Sequence, residues 1–163
     1  MKKVLFFAIV CLVATQATAQ NWQTLNFHSD GLGVEIDFPR KPTLTKKEGS
    51  TPRYTYTVAS MGLTFVLQAT QKPGVGLPNS VADNTMKTIL KSAARSEKPR
   101  DCDAGGFKCT EARYATKDGA YTNIRLIVVN DTVYQLMVMS MDKQYANQEV
   151  VDRFFNSAKF VEL

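Results

Sequence analysis

Residues 121–140 read YTNIRLIVVNDTVYQLMVMS, two apolar and β-branched runs separated by the pair Asn130-Asp131. Such a pair between such runs is typical of a two-residue hairpin turn, so we predict antiparallel strands over 120–129 and 132–141. Both runs show little alternation of apolar and polar residues, which is typical of strands that are covered on both faces. We therefore expect this hairpin to lie in a sheet that carries helices on each side.

Two further turn candidates extend the hairpin toward the N-terminus. Asp118-Gly119 and Gly105-Gly106 each suit a two-residue turn, and they place strands near 98–104 and 107–117 before the hairpin. In the first half of the sequence, β-branched and aromatic residues indicate strands near 22–28, 33–38, 53–60 and 63–71. The sequence therefore predicts a largely antiparallel sheet.

The spacing of two cysteines fits the turn at Gly105-Gly106. A two-residue loop there places Cys102 directly opposite Cys109, with about 4.5–5.5 Å between their Cα atoms, which a disulfide accepts. A redox centre would show a C-x-x-C motif, and zinc would need four ligands, whereas the only histidine, His28, lies far away in sequence. We predict a structural disulfide between Cys102 and Cys109, with free thiols as the alternative.

Two segments carry apolar residues at helical spacing. In residues 80–96 they recur at Ala82, Met86, Ile89 and Ala93, and a similar pattern in residues 143–160 includes Phe154. We expect these two helices to cover opposite faces of the sheet. The predicted fold class is α+β, an α/β/α sandwich formed by a single domain over residues 20–163.

Three stretches together resemble the bacterial PsbP-like proteins of the PsbP-like and DcrB-like superfamily. GVEIDFPRKP at 33–42 is similar to that family's G-x-x-[apolar]-x-FP-x-x-P opening. Residues 121–140 and VVDRFFNSAKF at 150–160 are similar to its closing hairpin and helix, so the resemblance spans about residues 22 to 162. It implies an α/β/α sandwich that acts by binding partners, as in Ran-binding import factors, and it brings no catalytic motif.

The predicted hairpin registers define a candidate binding face. They place Tyr114, Asn123, Arg125, Tyr134 and Leu136 on one face of the sheet, opposite an apolar face. An arginine in the middle of a strand must have a polar partner or reach water. Arg125 is therefore either a structural residue, paired with a carboxylate or carbonyl oxygens, or part of a groove lined by tyrosines, which suit interfaces.

Basic residues form a second candidate site. Lys87, Lys91 and Arg95 follow one another at steps of four residues and would line one face of the first helix. Such a row is typical of a solvated helix face. The alternative is a patch that docks on an acidic partner or on an anionic membrane surface.

Few residues point to catalysis or to a bound cofactor. A serine or cysteine nucleophile needs a positioned base, and His28 lies beside Ser29 and Asp30 in a turn-like run. Since the sequence shows neither a Gly-rich phosphate loop nor a ligand cluster, we expect no enzyme activity, metal or cofactor. The formal net charge of +5 falls by two, to +3, without Lys2 and Lys3, and this is too small for the basic stripe of a nucleic-acid-binding protein.

The N-terminal residues predict export. Lys2 and Lys3 precede an apolar run over 4–14 and an A-x-A site ending at Ala19, as in a secretory signal peptide over residues 1–19. The apolar run is shorter than the about 20 residues that a membrane span needs, so we expect no membrane anchor. Disulfides persist in the periplasm and outside the cell, so the predicted disulfide agrees with export to either place.

Together these features predict an exported, non-catalytic accessory or adaptor protein that binds a protein partner in the cell envelope. The alternative is a carrier of a small ligand or lipid that uses a cavity between sheet and helix. An open apolar pocket of several hundred Å³ would favour the carrier, and a flat surface of tyrosine and arginine would favour the adaptor.

Cleavage of the signal peptide should leave Gln20 as the first residue of the exported protein. The loss of Lys2 and Lys3 then lowers the formal net charge by two from +5, to +3. N-terminal sequencing of the exported protein checks this prediction. A chain that retains Met1 and stays in the cytoplasm would contradict it.

Overall fold

The computed structural model of the protein describes residues 21–28 and 32–161. The predicted signal peptide over 1–19 and the turn residues Ser29 and Asp30 lie outside these ranges. Neither helix within the ranges is long and apolar enough to cross a membrane.

Eleven strands and two helices make up the described part of the chain. The strands are β1 (Gln23–Asn26), β2 (Val34–Phe38), β3 (Thr43–Lys47), β4 (Arg53–Ser60), β5 (Leu63–Gln71), β6 (Arg95–Ser96), β7 (Arg100–Ala104), β8 (Phe107–Ala115), β9 (Tyr121–Val129), β10 (Thr132–Ser140) and β11 (Lys159–Phe160). The helices are α1 (Ser80–Ser92) and α2 (Gln148–Ser157).

The strands form two antiparallel sheets. The large sheet has eight strands in the order β3-β4-β5-β10-β9-β8-β6, with β7 also paired to β8. The small sheet has three strands in the order β1-β2-β11. The predicted meander from β7 to β10 is confirmed, whereas β3, β6 and β11 were not predicted from the sequence.

Two of the three hairpins have the predicted register. Val129 pairs with Thr132 across the Asn130-Asp131 turn, and Cys102 pairs with Cys109 across the Gly105-Gly106 turn. The two cysteines form the predicted disulfide, with their Cα atoms 4.9 Å apart. Both glycines of the second turn have positive φ, +67° and +93°, which explains the choice of glycine at these positions.

The hairpin between β8 and β9 differs from the prediction by one residue. Its loop covers residues 117–119 instead of Asp118-Gly119 alone, because Thr116 closes it. The Thr116 N–H donates to the Ala120 carbonyl oxygen at 2.8 Å, and the Thr116 hydroxyl accepts from the Ala120 N–H at 3.0 Å. Sequence patterns around a turn do not reveal such a side-chain bond.

This shift changes the face on which Tyr114 lies. Tyr114 pairs with Thr122, although a two-residue turn would have paired it with Asn123. Because neighbouring residues of a strand point to opposite faces, Tyr114 faces away from Arg125. The prediction that these two residues share a face is wrong.

An aromatic cluster fills the space between the two sheets. Phe154 of α2 contacts Phe38 of β2 and Phe65 of β5 edge to face, with ring centroids 5.2 and 5.4 Å away. All three side chains are fully buried. Tyr134 of β10 packs against Phe160 of β11, with ring centroids 4.9 Å apart. The small sheet and α2 therefore form one layer over this face of the large sheet.

On the other face of the large sheet, α1 packs beside β8 and β9. Ala82 and Met86 of α1 are buried in a second apolar cluster, together with Ile124 and Leu126 of β9. The helical spacing of Ala82 and Met86 explains why this face of α1 is the one turned to the sheet.

α1 is shorter than predicted: it ends at Ser92, whereas the predicted helix extends to residue 96. The backbone of Ala93 is extended, and the Ala94 N–H donates to the Ala115 carbonyl oxygen of β8 at 2.9 Å. Arg95 therefore lies in strand β6 and not on a helix. Pairing of residues 94–96 with β8 sets the C-terminal end of α1. This pairing cannot be predicted from the sequence of the segment alone.

The expected α/β/α sandwich is wrong. Strands make up 49% of the described residues and helices 17%, and both helices are short. The inference that both hairpin strands are covered on both faces is confirmed for β9, since all of its residues except Tyr121 are buried. It is wrong for β10, where Gln135, Met137 and Met139 are only half-buried. The layer over one face, however, consists of a three-stranded sheet beside α2. Buried strands do not indicate whether helices or other strands cover them.

Reduction of the Cys102–Cys109 disulfide should lower the free energy of unfolding by about 2.5 kcal/mol, because the bond closes a short loop in the unfolded chain. Urea unfolding of the oxidised and the reduced protein measures this difference without a change of sequence. Alkylation of both thiols in protein that was never reduced would show instead that the bond does not form.

Candidate functional site

Arg125 of β9 is buried beneath α2, with only 8% of its side chain exposed. Its Nε and Nη2 donate to Glu111 Oε2 at 3.3 and 3.2 Å. Its Nη1 donates to the Phe155 carbonyl oxygen and to Asn156 Oδ1, each at 3.1 Å. The guanidinium also lies 5.0 Å from the centre of the Phe155 ring. These contacts favour the structural alternative for Arg125.

The Arg125 guanidinium stabilises the C-terminal end of α2. The last four carbonyl groups of a helix lack donors within the helix, and positive charge is favourable there. α2 has no basic residue in its last turn, so Arg125 supplies both charge and donor from the sheet. The Ser157 hydroxyl adds a second link, since it donates to the Phe154 carbonyl oxygen and accepts from the Asp37 N–H of β2.

Glu111 of β8 lies directly opposite Arg125 and binds two arginines. Oε2 accepts from Arg125, and Oε1 accepts from Arg100 of β7 at 3.2 Å. The Arg100 side chain is 66% exposed, in contrast to that of Arg125. One carboxylate therefore holds a buried and a solvated guanidinium.

Asn123 lies on the same face of β9 as Arg125 and is also buried. Its side-chain nitrogen Nδ2 has no hydrogen-bond acceptor among the described residues. Asn123 lines a cleft between α2 and the large sheet with a volume of about 10 Å³, which is the space of about one water molecule. Asn123 is therefore too enclosed to contact a protein partner directly.

The two tyrosines predicted to bind a partner do not form a groove with Arg125. Tyr134 shares its face of the sheet but is buried against Phe160, and burial raises the pKa of its hydroxyl to about 12. Tyr114 is half-buried on the opposite face, in the cluster under α1, and burial raises the pKa of its hydroxyl as well.

A group of side chains that was not predicted from the sequence lies at the N-terminal end of α2. The Arg113 guanidinium of β8 lies 5.6 Å from the centre of the Tyr145 ring and donates to Gln148 of α2. Tyr121 of β9 contacts the Tyr145 ring edge to face at 5.2 Å. With two neighbours on β6 and the segment after it, we name this group the Arg/Tyr cluster: Arg95, Glu97, Arg113, Tyr121, Tyr145 and Gln148.

Strand pairing brings the members of the Arg/Tyr cluster together. Arg95 of β6 and Tyr121 of β9 both lie opposite Ala115 of β8. The Glu97 N–H donates to the Arg113 carbonyl oxygen, and the Glu97 carboxylate lies 3.9 Å from the Arg113 guanidinium. In the predicted register Arg113 would have faced the apolar side of the sheet, which is why the cluster could not be predicted from the sequence.

The surface that contains the Arg/Tyr cluster is basic. Its side chains outside the core are four cations and three carboxylates: Arg95, Lys98, Arg100 and Arg113 against Glu97, Glu111 and Asp152. Arg95 and Lys98 are exposed and take part in none of the salt bridges formed by the described residues. These two side chains are available to an acidic ligand.

The predicted basic row of Lys87, Lys91 and Arg95 is divided between two elements. Lys87 and Lys91 are exposed on α1, while Arg95 belongs to β6 and to the Arg/Tyr cluster. Lys87 lines a depression with Lys108 and with two carboxylates, those of Asp83 and Asp101. Positive and negative charges are balanced there, so the depression gives no basic patch.

His28 lies apart from both groups. It is exposed, and its backbone N–H donates to Asn26 Oδ1 at 2.8 Å. Within residues 21–28 and 32–161, no three His, Cys, Asp or Glu side chains are grouped so that they could hold a metal ion.

A scan of the chain against protein-family models finds no match, and a search of the curated proteins finds no significant match. The resemblance to PsbP-like proteins therefore depends on the sequence motifs at 33–42, 121–140 and 150–160 alone.

Replacement of Arg125 by alanine should lower the free energy of unfolding by about 3–5 kcal/mol, because Glu111 and the end of α2 lose a buried charged partner. For a domain of this size, the melting temperature should fall by about 10 °C. Arg100→Ala is the matched control, since Arg100 binds the same carboxylate but is largely exposed to solvent. This replacement should lower the free energy of unfolding by less than about 1 kcal/mol. Equal, small shifts in both variants would contradict a structural role.

Proposed function

We propose that the protein is an exported accessory protein that binds an acidic segment of a partner protein in the cell envelope. The Arg/Tyr cluster would form the binding surface. The observation that carries the proposal is the stack of Arg113 on Tyr145, with Tyr121 at the ring edge, on a basic surface. Tyrosine and arginine are enriched at the energetically important positions of protein interfaces.

The side chains of the cluster are held in place before a partner binds. Arg113 is fixed by the Tyr145 ring, by Gln148 and by Glu97. Tyr121 projects from a strand that is otherwise fully buried. Side chains that are already ordered lose less conformational entropy on binding, so such a surface gives more affinity for the same contact area.

The charges of the surface favour an acidic protein segment over other partners. Arg95 and Lys98 lack carboxylate partners among the described residues, and an acidic segment would supply them. A membrane surface would need a wider basic face, and the charges around Lys87 on α1 are balanced. The resemblance to PsbP-like proteins, as a family of partner-binding proteins, supports the same function.

Export is supported by the disulfide, since such bonds persist in oxidising compartments. A carrier with a cavity between sheet and helix is not proposed. On the α2 side, Phe38, Phe65 and Phe154 fill the space between the layers. On the α1 side, the depression beside Lys87 has a volume of about 260 Å³ but is lined mostly by charged residues, which do not suit an apolar ligand. The cleft beside α2 has room for about one water only.

The double variant Arg95→Glu/Lys98→Glu should lose the partner, because it reverses the two free charges of the surface. Both side chains are exposed, so the free energy of unfolding should change by less than about 0.5 kcal/mol for each change. Capture from an envelope extract with residues 20–163 as bait, followed by mass spectrometry, measures the loss. Proteins whose capture weakens with rising salt are the expected partners.

Lys47→Glu/Arg53→Glu is the matched control. These two exposed residues pair across β3 and β4, at the edge of the large sheet farthest from β6, and the change of net charge is the same. The control should keep every partner that Arg95→Glu/Lys98→Glu loses. If both variants lose the same proteins, net charge governs the capture and the proposal is wrong.

A further inference from the structure

A pocket with a volume of about 250 Å³ lies beside the turn between β9 and β10. Its walls are the Asn130-Asp131 turn, the segment 74–76 and, on a third side, Gly33 with Val161. Tyr121 of the Arg/Tyr cluster begins β9, and Val129 of the pocket ends it. The pocket and the cluster are therefore separate sites.

Backbone hydrogen bonds hold the segment 74–76 against the turn. The Lys72 N–H donates to the Asp131 carbonyl oxygen and the Leu77 N–H to the Asn130 carbonyl oxygen, both at 2.8 Å. The Val75 N–H donates to the Lys72 carbonyl oxygen at 3.1 Å. Because the segment is bonded at both ends, the pocket exists before any ligand enters it.

Apolar side chains are exposed at this pocket. Val75 is 53% exposed and Val161 is 44% exposed, and they are two of the five large hydrophobic residues exposed in the described part of the chain. Both line the pocket, as does Val129. Single exposed apolar residues are ordinary, but their concentration at one concave site is typical of a binding site for an apolar group.

The polar lining of the pocket carries a negative charge. The Asp131 carboxylate accepts a hydrogen bond from the Thr132 hydroxyl at 3.0 Å, and it takes part in none of the salt bridges of the described residues. Tyr134, also in the lining, adds no charge, since its hydroxyl is neutral at physiological pH and burial raises its pKa further, to about 12. A carboxylate with no salt-bridge partner among the described residues thus lies beside an apolar wall.

We propose that this pocket binds a small organic cation, an ammonium group on a compact apolar body. The ammonium group would donate to Asp131, and the apolar body would pack against Val75 and Val161. A cavity of about 150 Å³ is enough for benzene, so this pocket has room for one ring with a short ammonium-bearing chain.

Three probes of nearly equal shape and different charge test the proposal: 2-phenylethylammonium, 2-phenylethanol and phenylacetate. Each is titrated into the ¹⁵N-labelled protein, residues 20–163, and followed by NMR at the backbone amides of Val75, Gly76 and Thr132. The cation should give saturable shifts at these amides. It should bind about tenfold more tightly than the alcohol, because it adds a charge-assisted hydrogen bond, and phenylacetate should bind most weakly.

Two variants separate the contributions of charge and apolar contact. Asp131→Asn keeps the oxygen that accepts from Thr132 but removes the charge, so the cation should bind no better than the alcohol. Val75→Ser should lower the affinity for the cation and for the alcohol to the same extent, by about threefold or more. Asp142→Asn and Met141→Ser are the matched controls at the other end of β10, and Met141 is 65% exposed.

The proposal fails if the shifts do not saturate, or if phenylacetate binds as tightly as the ammonium probe. It also fails if the control variants change the affinity as much as Asp131→Asn does. The pocket and the Arg/Tyr cluster share no residue. A negative result in these titrations therefore contradicts cation binding at the pocket and does not affect the protein binding proposed for the cluster.

Discussion

The buried guanidinium of Arg125 joins the layers of the protein, and most of the arrangement around it follows from its need for partners. A charge taken out of water must be paired and hydrogen-bonded, or it costs several kcal/mol. The partners come from two elements, Glu111 from β8 and Phe155 with Asn156 from the end of α2. Arg125 has all of its partners only if the β8–β9 register and the position of α2 are both correct, and we infer that the interaction favours this one arrangement over others.

The Arg/Tyr cluster depends on the same two conditions. With Arg125 bound to the C-terminal end of α2, the N-terminal end of the helix lies beside β8, where Gln148 meets Arg113. The register that pairs Glu111 with Arg125 also pairs Arg113 with Asn123, which turns Arg113 toward Tyr145. A structural residue thus positions the surface that we propose for binding, although it does not itself reach a partner.

The parts of the fold that follow from local sequence could be predicted, and the parts that follow from distant contacts could not. Turn residues fixed the hairpins at Asn130-Asp131 and Gly105-Gly106, and with them the disulfide. The hydrogen bond to the Thr116 hydroxyl goes with a β8–β9 register that differs by one residue from the predicted one. The face on which Arg113 lies was therefore predicted wrongly. Pairing with β8 turned the predicted helical residue Arg95 into a strand residue, and only the folded chain shows that a small sheet covers β9.

The positions of the two proposed sites determine how they can influence each other. Tyr121 and Val129 are the ends of β9, and at about 3.3 Å per residue they lie about 26 Å apart. Coupling over such a distance requires an element with two alternative arrangements. β9 is buried along almost its whole length and bonded to strands on both sides, so it has no free edge on which a second pairing could form. A cation in the pocket and a protein at the Arg/Tyr cluster should therefore bind independently, and each affinity reports on its own site.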